Sequence, residues 1–75
     1  MYYVNSNMEN FAKRLKTERE FAGYTQKSFA ELLGLPIRTY AAYEAQGTHN
    51  RRPDYETLVK IADALNLTTD ELLGR

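Results

Sequence analysis

Arg38, Arg51 and Arg52 are accompanied by Gln26, Lys27, Thr39, Thr48 and Asn50. All of these side chains carry hydrogen-bond donors, and four of them carry a full positive charge. No nucleophile–base pair stands among them, so the chemistry open to them is binding. An arginine can donate in parallel to guanine O6 and N7 or hold a phosphate oxygen. Covalent catalysis finds no support elsewhere in the chain. There is no cysteine, and the one histidine, His49, lacks a serine–acid constellation. No glycine-rich phosphate loop occurs, and the carboxylates are dispersed over helical faces. A lone histidine in a polar stretch is a poor metal site, because structural zinc needs about four ligands. The sequence therefore predicts neither an enzyme nor a cofactor.

The elements that must carry these residues are legible between Thr25 and Glu44. Thr25 suits a helix N-cap, where its side chain accepts from an orphan backbone N–H. Phe29, Ala30, Leu32 and Leu33 follow at helical spacing. Gly34 stands where a helix closes in a left-handed conformation. Pro36 suits the first position of the next helix, where its missing N–H costs nothing. In that helix Tyr40 and Tyr43 share one bulky face, predicted to be buried. Ile37, Arg38, Ala41 and Ala42 lie on the other, mostly small face. Two short helices joined by a tight glycine turn form a helix-turn-helix, the unit that lays its second helix in the DNA major groove.

The remaining chain is compatible with a small all-α domain. Seventy-five residues suffice for one core burying roughly 60% of the unfolded surface. Residues 1–7 read as a tail and 8–75 as the domain. Ser6 with Glu9 has capping-box spacing, opening a first helix to about Ala22, with Phe11, Leu15 and Ala22 on one stripe. Ala45 to Arg52 reads as a polar loop. Pro53 and Asp54 open a fourth helix with Leu58, Ile61, Ala62 and Leu65 on its apolar stripe, ended by Asn66. Thr68 with Glu71 opens a fifth, short helix containing Leu72 and Leu73 and closed by Gly74. No apolar run approaches the ~20 residues of a membrane helix. The absence of cysteine suits a reducing cytoplasm. Net charge is zero overall, but residues 24–52 carry +2 and residues 53–75 carry −3. The positive excess thus falls on the half that holds the candidate binding residues.

From about Phe11 to Gly74 the chain resembles the phage Cro and repressor family of helix-turn-helix domains, also called the XRE family. The resemblance rests on Arg19, Thr25-Gln26, Ala30, Gly34, Glu44 with its glycine loop, and Arg52-Pro53. It continues through Thr57-Leu58, Ile61-Ala62, Ala64-Leu65 and Leu72-Leu73. It implies a compact five-helix bundle of the lambda-repressor type whose third helix, about Pro36 to Ala45, enters the major groove. Gln26 matches a phosphate-contacting position, and helix N-termini favour anions on independent grounds. Arg52 matches an arginine that approaches the minor groove before the proline. Arg19 and Glu44 match a structural ion pair between the first and third helices. Base contacts are assigned to Ile37, Arg38, Ala41 and Ala42. Phosphate contacts are assigned to Gln26, Lys27, Thr39, Tyr43, Thr48, Asn50, Arg51 and Arg52. The segment from Glu44 to Pro53 is longer than usual for the family. Family members often carry polar residues at some of the places held here by Ile37, Ala41 and Ala42.

The expectation is a transcriptional regulator, a repressor, that binds double-stranded operator DNA as a homodimer. Leu72 and Leu73 are the first candidate dimer surface, and Tyr2, Tyr3 and Val4 the second. The alternative is a protein-interaction module, an antitoxin or adaptor, using the same fold; the apolar front of the third helix and the zero net charge are its support. A third reading makes the chain the DNA-binding part of a longer repressor.

Overall fold

The computed structural model describes residues 7–74 and contains five α-helices in chain order. They are α1 (Asn7–Phe21), α2 (Gln26–Leu33), α3 (Ile37–Glu44), α4 (Tyr55–Ala64) and α5 (Thr69–Leu73). A short 3₁₀ turn, Gly47–His49, lies between α3 and α4. No strand occurs among the described residues, so the all-α class is as expected.

Local chemistry sets most boundaries. The Thr25 side chain accepts from the Ser28 N–H, and the Ser28 hydroxyl accepts from the Thr25 N–H, which closes a capping box at the start of α2. Gly34 ends that helix at φ +74°, where a Cβ would be strained, and its N–H reaches the carbonyls of α2. Asp54 caps α4 through the Thr57 N–H at 2.8 Å. Thr68 and Glu71 form a second capping box on α5.

Several sequence expectations shift. Pro36 is the N-cap of α3 rather than its first helical residue, and supplies no side-chain cap. The first helix ends at Phe21, and Ala22 is exposed beyond it; the inward stripe of α1 runs through Phe11, Ala12, Leu15 and Arg19 instead. Helix α4 is capped by Leu65, and Asn66 follows at φ +61°, a conformation asparagine tolerates better than most side chains. The stretch after α3 is not a featureless loop, because it contains the 3₁₀ turn. Ser6, Tyr2, Tyr3 and Val4 lie outside the described residues.

The core joins Phe11 and Leu15 of α1, Phe29, Ala30 and Leu33 of α2, and Tyr40 and Tyr43 of α3 to Ile61, Ala62 and Leu72. Rings run through it in series. Tyr24 meets Phe29 at 5.1 Å between centroids, Phe29 meets Tyr40 edge-on at 5.4 Å, and Tyr40 meets Tyr43 edge-on at 6.1 Å. Edge-on pairs set positive ring edges against negative ring faces, which adds attraction to the burial. Helix α3 thus rests its aromatic face on α2 and α1. Leu72 is 0% exposed and belongs to this core, which removes it from the dimer surface suggested for it. Leu73 remains half-buried at the edge.

Candidate nucleic-acid interface

One carboxylate fixes α3 against two other helices. Glu44, at the end of α3, is 8% exposed, and Arg19 of α1 is 6% exposed. Arg19 Nε donates to Glu44 Oε2 at 2.7 Å and Nη2 to Oε1 at 3.1 Å, a two-pronged pair. Arg19 Nη1 donates to the Tyr24 carbonyl at 2.7 Å, which ties in the α1–α2 turn. Gln26, the first residue of α2, donates from Nε2 to Glu44 Oε1 at 3.0 Å. Tyr40, one turn before Glu44, donates its hydroxyl proton to Oε2. Among the described residues no buried side-chain nitrogen or oxygen is left without a partner. Burial alone would raise the Glu44 carboxyl. The hydrogen bonds from Arg19, Tyr40 and Gln26 outweigh it and hold the group below the usual carboxylate range. Burial and the Glu44 contact push the Tyr40 phenol well above its ordinary value, so it stays a donor. The hydrogen bond to Glu44 likewise raises Arg19.

With Tyr40, Tyr43 and Glu44 turned inward, the other face of α3 is free for contact. Ile37 is 48% exposed, Arg38 is exposed, and Ala41 and Ala42 are half-buried. Small residues here permit close approach of a surface, and Arg38 is the charged group among them. Lys27 is exposed in the first turn of α2, and Thr39 is half-buried in α3. Thr48, His49, Arg51 and Arg52 are exposed along the segment after α3. Tyr43 is 7% exposed. Its phenol is raised by burial and then by the field of Asp54, with Arg51 acting the other way, and its burial removes it from the phosphate contacts suggested for it.

Two residues assigned to phosphate have their amides engaged internally. The Gln26 amide spends one of its two N–H groups on Glu44, which leaves the second for an outside acceptor. Asn50 directs its amide nitrogen at the carbonyls of Ala45 (3.0 Å), Tyr43 (3.2 Å) and Ala42 (3.3 Å). Two of the last carbonyls of α3 and that of its cap residue thereby gain a donor, and Asn50 acts on α3 in the free protein. Neither arrangement was visible in the residue types. The Tyr40–Glu44 contact did carry a signal, since residues four apart share a helical face.

Among the described residues no group of three or more histidine, cysteine, aspartate or glutamate side chains could hold a metal ion. No helix there is long and apolar enough to cross a membrane.

An exposed, small-faced α3 behind a capped α2, locked by an α1–α3 ion pair, defines a helix-turn-helix domain. The helix-turn-helix family matches residues 15–72, and the chain belongs to that family. It is 42% identical over 66 residues to the HTH-type transcriptional regulator ImmR of Bacillus subtilis, covering 88% of this chain and 50% of that protein. It is 41% identical over 64 residues to the cryptic phage CTXphi transcriptional repressor RstR of Vibrio cholerae, covering 84% and 54%. The HTH-type transcriptional regulator AnsR of Bacillus subtilis matches at 42% over 62 residues, covering 83% and 51%. The chain spans about half the length of these relatives. The phage-repressor resemblance read from the sequence agrees with these matches.

Proposed function

We propose that this chain is a double-stranded DNA-binding transcriptional regulator, acting as a repressor in the cytoplasm. Helix α3 enters the major groove, with Ile37, Arg38, Ala41 and Ala42 toward base edges. Gln26, Lys27, Thr39, Thr48, Arg51 and Arg52 line the flanking phosphates, whereas Tyr43 is turned into the core. The observation that carries this reading is the Glu44 node, which fixes α3 and the N-terminus of α2 relative to each other. Fixed geometry between the two is what lets phosphate contacts set the register in which base edges are read. The relatives' names as transcriptional regulators and a repressor support it. One such domain contacts few bases, so two copies on half-sites about one helical turn apart complete the operator complex. Leu73, at the edge of α5, remains a candidate for their contact, as do Tyr2, Tyr3 and Val4.

Titration against duplex DNA from upstream of the protein's own gene, with scrambled DNA as control, tests this at several salt concentrations. The expected result is preference for the upstream duplex, steep weakening with salt, and loss of the preference in Arg38→Ala. Equal, weak binding to both duplexes refutes sequence-specific binding and favours a protein partner. Ile37 and Leu32, which is 55% exposed, are the apolar groups such a partner would meet.

A further inference from the structure

Asn50 ties the segment after α3 back onto the helix. Asn50 points its amide at three carbonyls at the end of α3. The alternative amide orientation would set its oxygen against those same three oxygens, so the donor assignment is forced by the network. Two backbone bonds work with it. The Arg51 N–H reaches the Ala42 carbonyl at 2.9 Å, and the Asn50 N–H reaches the Gly47 carbonyl at 3.1 Å. Gly47 takes φ +70° to make the turn. The chain therefore doubles back onto α3 instead of running directly to α4, and Thr48, His49 and Arg51 are displayed from a closed turn.

The electrostatics are consistent with a role in holding a polyanion. A helix C-terminus carries a partial negative charge on its free carbonyls, which repels phosphate. The Asn50 amide and the Arg51 N–H cover these carbonyls, and the Arg51 guanidinium follows immediately in sequence.

We propose that Asn50 is a positioning residue for DNA binding. It clamps the Gly47–Arg51 turn onto the end of α3 and so holds the Arg51 guanidinium at a backbone phosphate, without touching DNA itself. This rests on the reading that the turn faces the phosphate backbone.

The test is the salt dependence of affinity for a duplex enriched from a random-sequence pool by the unmodified protein. Each phosphate held by a cationic side chain adds about 0.9 to the slope of log affinity against log salt. Arg51→Ala should lower the slope by about 1. Asn50→Ala removes no charge, yet it should lower the slope by the same amount, and Asn50→Ala with Arg51→Ala should lower it no further. Asn50→Ala with Arg38→Ala should instead combine independently. Asn50→Ser serves as a second variant should the alanine variant fold poorly. In the free protein, hydrogen exchange at the Arg51 amide should speed up at least tenfold in either Asn50 variant. An unchanged slope in a folded Asn50 variant, or an unchanged Arg51 exchange rate, overturns the proposal. A slope unaffected by Arg51→Ala itself shows instead that the turn does not lie on the backbone, which overturns the reading beneath it.

Discussion

Replacing Arg19 by methionine is the sharpest perturbation of the Glu44 node. Methionine keeps much of the length and apolar stem, so the change is chiefly loss of the guanidinium. It removes both prongs on Glu44 and the bond to the Tyr24 carbonyl. Glu44 stays buried with Tyr40 and Gln26 as its remaining donors. Breaking a buried pair from one side typically costs ~3–5 kcal/mol, because the other charge is stranded. For a chain of this size, total stability is roughly 4–11 kcal/mol. With about 4–8 °C lost per kcal/mol, the melting temperature should fall by about 12–40 °C.

The pH dependence gives an independent check on this cost. In the unmodified protein the Glu44 carboxyl is depressed, so its contribution is present above the unfolded pKa of about 4.3 and lost as pH falls through the folded value. In the variant, burial acts with much less to oppose it and raises the carboxyl. The resulting deficit is present at neutral pH and fades as pH falls through that raised value. Both effects shrink the gap between the two proteins toward acid. Thermal melts by circular dichroism, at pH 7 and near pH 4, read both quantities. A drop under about 5 °C, typical of an exposed pair, or a gap that does not change with pH, refutes the buried-pair argument.

Other substitutions separate the parts. Tyr40→Phe keeps the ring contacts but deletes one donor to Glu44, and should cost about 1.5–3 kcal/mol in a denaturant melt, the scale for a hydrogen bond to a charged group. Gly34→Ala meets no atom within 4 Å but must adopt φ +74°, so about 1–2 kcal/mol should be lost to backbone strain alone, read by the same melt. Leu72→Ala should cost about 2–5 kcal/mol through the cavity it leaves and, when sized by light scattering below the melting temperature, should not alter oligomeric state.

The helix-turn-helix was legible because its signals are local. Thr25 caps and Gly34 closes α2 through atoms only a few residues away, and the two tyrosines of α3 share a face by simple period. Readings failed where a partner is set by how the chain folds back or packs, which local spacing does not reveal. Leu72 looked as able to pair with a second copy as to fill a core, and only its place among residues from the other helices decides for the core. Asn50 looked like any polar loop residue, because nothing in its neighbours announces that the chain folds back onto α3. The Arg19–Glu44 pair, 25 residues apart, came from the family resemblance. Of its extra members, Gln26 is set by how α2 and α3 cross, while Tyr40 stands one turn before Glu44 on the same helix. Pro36 shows the limit of local rules: N-cap and first turn differ by one residue, and proline is acceptable at either.

Helix α3 divides its eight residues between two duties. Tyr40, Tyr43 and Glu44 answer to the interior, while Ile37 and Arg38 answer only to what lies outside. Mutational drift at the outer positions therefore leaves the scaffold intact, and drift at the inner ones is punished before any target is met. A lineage built on this helix could change the sites it recognises by exchanging outer residues without passing through unfolded ancestors. The same partition gives an engineer a short list of positions to randomise.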